Sequence, residues 1–180
     1  NYYEEPMDQS LIRNPMVDVN ANQNQTWRNT FVNAFALIKF PIRGLSYRTN
    51  FGYDSRSGLT GTYYGRNTFT GKHINGKASI NNTHYQDYTW ENILKYERSF
   101  GKHAIDLTGL FSLQKTKSEK SAMSGEDFVN DDMSYHNIGA AETNKDISSS
   151  LTKTQLLSYM FRVNYNYDNR YLLTITGRTD

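Results

Sequence analysis

What most constrains this chain is an alternation inside its runs coupled to a second alternation between them. Leu45, Tyr47, Phe51 and Tyr53 fall on one side of an extended backbone, and Ser46, Arg48, Asn50 and Asp54 on the other. A helix would scatter these residues around its circumference, so the period of two reads as a strand. Ile105, Leu107, Phe111 and Leu113 stand in the same way against Asp106, Thr108, Ser112 and Gln114. Leu157, Tyr159, Phe161, Val163, Tyr165 and Tyr167 likewise oppose Ser158, Arg162, Asn164 and Asn166. Trp27 to Phe40, Tyr85 to Phe100 and Tyr171 to Gly177 are further strand candidates, interrupted by Asn33, Asn92 and Leu172.

The connections between these six runs alternate in length. Pro41 to Gly44, Gly101-Lys102 and Asp168 to Arg170 are short enough for hairpin turns. Ser55 to Ala78 and Thr116 to Thr152 are long and rich in Gly, Ser, Asn and Lys. Every tight turn therefore lies at one end of the sheet and every long connection at the other. The sequence thus predicts an all-β, antiparallel up-and-down meander of about six long strands. An outer-membrane barrel, with short periplasmic turns and long extracellular loops, has this asymmetric layout.

Strand length and composition point the same way. Tyr88 and Tyr96 share a face eight residues apart, roughly 20 Å along the axis of a barrel whose strands tilt near 40°. That nearly spans an apolar band about 25 Å tall, which places Tyr88 and Trp90 in one interfacial girdle and Tyr96, with Tyr47, Tyr167 and Tyr171, in the other. Aromatic residues make up 14% of a chain that is only 37% hydrophobic, a balance suited to strands with one apolar and one wet face. The competing reading is that these rings fill the core of a soluble sheet.

Other classes are disfavoured. A net charge of +2 with scattered basic residues makes no stripe for a phosphate backbone, so no nucleic-acid partner is expected. Apolar stretches of only a few residues exclude a membrane helix. With no cysteine, disulfide scaffolds, thiolate metal sites and thiol nucleophiles are ruled out. The polar, acidic opening from Asn1 to Asp8 is no secretory signal, and the chain stops inside a strand-like run. We read residues 1–180 as a single segment of a larger chain.

Catalytic signals are weak. Gly71 to Ala78 matches a phosphate-loop spacing but ends in Ala78 where Mg²⁺ needs a hydroxyl, and no helix opener follows. His73, His84, His103 and His136 lack the i, i+4 partners of a shared metal. Glu126, Asp127, Asp131 and Asp132 offer oxygen ligands without an EF-hand pattern. No G-x-S-x-G occurs, so neither an enzyme nor a cofactor is expected.

Several words of the sequence also resemble a known family. Gly44-Leu45-Ser46-Tyr47-Arg48-Thr49-Asn50-Phe51-Gly52-Tyr53, Tyr88 to Tyr96, His103 to Leu110, the loop word Ser124 to Phe128, and Leu156 to Thr174 resemble the mid-barrel region of SusC/RagA-type TonB-linked outer-membrane proteins of Bacteroidetes. The resemblance runs over nearly the whole chain in the family's order, with Met160-Phe161 departing from an expected Phe-Gly. It implies an integral barrel of the 22-strand type in the outer membrane and active import of an oligosaccharide or peptide. It also implies a SusD-like surface lipoprotein as partner and a TonB system acting through a plug region that this segment does not contain. The alternative is a soluble, secreted β-rich adhesin or carbohydrate-binding module.

On this reading Arg48, Asp106, Arg162 and Asn164 face the barrel lumen, as do Glu91, Lys95 and Glu97. Leu107, Phe111, Tyr159, Phe161, Val163 and Ile175 face lipid. Tyr63, Tyr64, Phe69, Tyr135 and His136 are loop candidates for ligand or partner contact. The 37 residues from Thr116 to Thr152 would form the largest extracellular loop. Gly125 to Ala141 would fold locally with a short helix, Phe128 as buried anchor and Tyr135 and His136 facing outward; Thr143 to Ser150 would be a polar tether.

Overall fold

The computed structural model describes residues 22–180; the polar opening of the chain lies outside these. Six strands follow one another: β1 (Asn22–Lys39), β2 (Leu45–Tyr64), β3 (Lys77–Phe100), β4 (His103–Glu126), β5 (Thr143–Tyr167) and β6 (Tyr171–Thr179). They form one sheet in the order β1-β2-β3-β4-β5-β6, each strand beside its sequence neighbour. The all-β antiparallel meander expected from periodicity is therefore observed.

The lengths differ from expectation. β3, β4 and β5 run 24, 24 and 25 residues, so most of the two long connections is strand. Only residues 65–76 and 127–142 remain as loops, and the expected tether from Thr143 to Ser150 is the first third of β5. Both faces of those stretches are polar, which erases the period-2 signal. Backbone pairing with neighbours extends the ladder regardless, because each added residue satisfies its own N–H and C=O.

The tight turns follow their residues. Gly44 adopts φ +87° and a Cβ there would lie 1.8 Å from the Glu97 carbonyl oxygen, so only glycine lets β3 pass this close. Gly101 supplies φ +57° between β3 and β4. Asp168 and Asn169 take left-handed φ values of 53° and 54°, which short polar side chains tolerate better than most. These two turns are joined: Asp168 N–H donates to the Lys102 carbonyl at 2.7 Å and Lys102 Nζ lies 3.2 Å from the Asp168 carboxylate.

The chain divides into two compact units. The turn-side unit, residues 29–55, 85–117 and 152–180, carries a two-sided sheet. On one side an aromatic row links Tyr53 to Tyr88 at 4.8 Å, Trp90 to Phe111 at 6.0 Å and Phe111 to Tyr159 at 5.4 Å. Toward the turns the same side carries Phe100 stacked on His103, with His103 5.0 Å from Tyr167 and Tyr167 6.4 Å from Tyr171. Leu94, Leu107, Phe161, Leu173 and Ile175 fill the interval and stay exposed. Asn92 breaks this face in sequence, and the Tyr47 hydroxyl donates to its side-chain carbonyl.

Such a sheet cannot be content in water. It leaves β1 and β6 as edges and exposes an apolar face, a combination that favours association. Residues 1–180 expressed alone should aggregate or require detergent. Sharp, reversible thermal unfolding as a monomer in plain buffer would contradict a lipid-facing surface.

Candidate functional site

The loop-side unit takes in residues 56–84 and 118–151 and the part of β1 up to Arg28. Its small core consists of Tyr63, Ala78, Phe128, Tyr135 and Ala141, with Ile80 and Ile138 packed against it. Phe128 meets Tyr63 edge-on at 5.6 Å. Tyr135 lies over β2 where Gly61 has no side chain; a Cβ there would stand 2.4 Å from the ring.

Hydrogen bonds stitch the two loops into one cap. Asp127 N–H donates to the carbonyls of Ile74 and Gly76 at 3.0 and 3.2 Å, and Phe128 N–H to that of Asn75 at 3.0 Å. Asn75 Nδ2 returns a bond to Asp127 Oδ1 at 3.0 Å. The Tyr63 hydroxyl donates to Asp131 Oδ1 at 2.7 Å, and Arg66 reaches the same carboxylate and the Val129 carbonyl. Burial first, then Asp131, pushes the Tyr63 hydroxyl well above the ordinary tyrosine pKa, so it stays a donor at any physiological pH.

Three of the four clustered acids, Glu126, Asp127 and Asp131, are engaged in this stitching. Lys77 Nζ sits 2.8 Å from Glu126 Oε1 and Asn144 Nδ2 donates to Glu126 Oε2. These bonds hold the Glu126 carboxyl below its usual range. Among the described residues no three acidic or histidine side chains converge as a metal site would require.

A carboxyl whose folded pKa is depressed stabilises above its unfolded pKa, and the contribution is lost as pH falls through the folded value. Hydrogen-exchange protection of residues 65–76 and 127–142 should therefore weaken on acidification below the ordinary carboxylate range. In Glu126→Gln that pH dependence should shrink; an unchanged profile would remove Glu126 as the titrating group.

The five loop candidates divide. Tyr63 and Tyr135 are 4% exposed, so they hold the cap together; the expectation that Tyr135 faces outward is wrong because Gly61 opens a seat for its ring. His136 is exposed, Tyr64 half-buried and Phe69 exposed. Phe128 is buried as expected, and the short helix is a 3-10 segment at Ser134–Ala140. Val129 and Met133, 74% and 56% exposed, are not among the sequence's candidates for ligand or partner contact; with Phe69 they put apolar side chains on the surface of the loop-side unit. Nothing in the pattern of a loop tells which apolar residue turns inward.

Arg48, Asp106, Arg162 and Asn164 all lie on the turn-side unit's polar side. Arg48 Nε donates to Asn50 Oδ1 at 2.9 Å, and Asn50 Nδ2 to Glu91 Oε2 at 3.3 Å. Lys95 pairs with Glu97 and lies 3.6 Å from Asp106. Arg162 Nε donates to Thr176 at 3.3 Å, and the Thr174 hydroxyl to Asn164 at 3.0 Å. Phe35, 6.0 Å from the Arg48 guanidinium, and Phe31, both exposed, put two aromatic rings from β1 beside Arg48, Asn50 and Glu91.

No family model matches the chain. It is 32% identical over 162 residues to TonB-dependent receptor P3 of Formosa agariphila, covering 90% of this chain and 16% of that receptor. TonB-dependent receptor P26 of the same organism is 28% identical over 173 residues, covering 93% and 17%. Among solved structures, the RagAB peptide transporter superposes with a TM-score of 0.79 at 18% identity, over 92% of this chain and 18% of that one. The RagAB peptide importer in its open-open state gives 0.72 at 20% identity, with the same coverage. The chain thus spans about one sixth of the length of these relatives, which are described as receptors and transporters.

Proposed function

We propose that this chain, which is homologous to a segment of the TonB-dependent receptors, forms part of the wall of an outer-membrane active transporter. The observation that carries the reading is the exposed apolar side of the turn-side unit, bounded by an aromatic row toward the loops and another toward the turns. An apolar band between two aromatic girdles is what a lipid-facing barrel wall needs. Strands of 20 or more residues exceed the roughly 9 to 11 that cross a bilayer. Strands that long leave residues beyond the bilayer, as the long extracellular loops of such barrels do.

In this reading residues 1–180 are one segment of the barrel, and Arg48, Asp106, Arg162 and Asn164 line the lumen. A plug region elsewhere in the protein couples import to TonB. The cargo is an oligosaccharide or a peptide, with peptide supported by the fold shared with the RagAB transporter. A SusD-like surface lipoprotein docks on the loop-side unit, where Phe69, Val129 and Met133 are exposed; Tyr64 and His136 remain available to cargo.

The test is fractionation and uptake with the full-length protein. It should sediment with the outer membrane, co-purify with a lipoprotein and support TonB-dependent uptake of labelled oligosaccharide or peptide. Replacing Phe69, Val129 and Met133 together by Ser should leave membrane insertion intact and weaken the lipoprotein association. Recovery of the protein in the soluble secreted fraction would favour the adhesin alternative.

A further inference from the structure

On its polar side the turn-side unit carries two phenylalanines from β1. Phe31 and Phe35 are 73% and 74% exposed, and with Asn33 between them they line a hollow of about 270 Å³ shared with Arg48, Asn50 and Glu91. Two bare rings in one hollow are more than the scattered exposure of an ordinary surface. Gly52 of β2 lines the same hollow without a side chain. A Cβ there would meet nothing nearer than the Thr89 Cβ at 3.8 Å, so packing within the sheet does not demand glycine. A strand glycine with open space above it lets another backbone approach closely.

The charged groups stand ready to receive a ligand. Arg48 donates to Asn50 through Nε, and Asn50 donates to Glu91 Oε2. The amide thus holds both side chains in place while the forked end of the guanidinium, the part that grips a carboxylate through two parallel bonds, takes no part in that chain. The guanidinium lies 6.0 Å from the Phe35 ring, so an anion bound there sits next to an apolar contact. Spacing selects the ligand. Phe31, Asn33 and Phe35 repeat every two residues as apolar, polar, apolar, about 6.7 Å per step. An extended peptide has the same repeat: its side chains at i and i+4 meet the two rings and that at i+2 meets Asn33. It also brings a carboxylate, whereas a neutral oligosaccharide carries no charge for Arg48.

Resting on the barrel reading above, in which this side faces the lumen, we infer that Phe31, Phe35 and Arg48, beside the bare backbone of Gly52, form a subsite for peptide cargo. Its ligand is an extended segment with apolar side chains at i and i+4 and a carboxylate beside the second.

The experiment uses the full-length protein in detergent and an N-terminally fluorescein-labelled Leu-Ala-Ser-Ala-Leu peptide, as the free acid and as the C-terminal amide, with anisotropy as the readout and a neutral oligosaccharide as competitor. A charge-assisted bond to a carboxylate is worth about ten- to a hundredfold. The native protein should therefore prefer the acid to the amide by about that factor, and Arg48→Gln should bind the two alike. Phe31→Ser combined with Phe35→Ser should weaken binding of both forms about tenfold, whereas leucine at both positions should retain it. Equal binding of acid and amide by the native protein, or displacement of the peptide by the neutral oligosaccharide, would overturn the inference. Unchanged peptide binding in the double Ser variant would do so too, and a plug region newly open to protease in that variant would assign the rings to seating the plug. Recovery of the protein with the outer membrane leaves the barrel reading standing in each of these cases; recovery in the soluble fraction would overturn both.

Discussion

Arginine in place of Phe161 should depress barrel assembly far more than arginine in place of Asn164. The two positions are three residues apart on β5 and pair with Gly177 and Thr174 of β6, so they differ by roughly 8 Å in depth, well within one apolar band, and face opposite sides. Phe161 is 55% exposed, its ring lying over Gly177, where a Cβ would come within 2.4 Å. Asn164 is bonded to Thr174 on the side that already holds Arg162. A lipid-facing Arg near the bilayer midplane costs about 2 to 4 kcal/mol, roughly thirty- to several-hundredfold in an assembly equilibrium; a wet wall accepts it almost freely. The fraction of full-length protein migrating as a folded, heat-modifiable species in outer-membrane preparations measures the difference. Equal losses would mean that the two sides of β5 do not meet different solvents.

Phe128→Ala should open the loop cap without touching insertion. Phe128 is 6% exposed and one of five buried hydrophobic residues in that core, so its removal takes away a large share of the apolar contact joining the loops. Truncating a buried Phe costs about 3 to 5 kcal/mol where the surroundings cannot collapse. The backbone bonds from Asp127 and Phe128 to Ile74, Gly76 and Asn75 would then have no packed layer above them, and residues 65–76 and 127–142 should become cleavable by added protease on intact cells. The turn-side strands, which share no residue with this core, should insert normally. Unaltered protease resistance would show that hydrogen bonds alone hold the cap.

The sheet was legible wherever one side is apolar and the other wet. Leu157 to Tyr167, Ile105 to Gln114 and Leu45 to Asp54 carry that contrast residue by residue, and their neighbours in sequence proved to be their neighbours in the sheet. The turns were legible because Gly44, Gly101 and the Asp168-Asn169 pair supply the left-handed backbone that tight reversals need. Where both sides of a strand are polar, as in Ser55 to Tyr64, Thr116 to Glu126 and Thr143 to Thr154, the contrast vanishes and composition reads as loop.

By itself, then, the sequence determined the fold class, the number and order of strands, the end at which the tight turns lie and which residues share a side, since each depends on local spacing. Only the tertiary structure decided how far the strands run, because a polar strand is held by the hydrogen-bonding edge of its neighbour. It also decided which loop aromatics turn inward. Tyr135 is buried and His136 beside it exposed because β2 offers the bare backbone of Gly61 and β4 ends beside Ala141, two surfaces more than sixty residues apart that meet only when the sheet has formed.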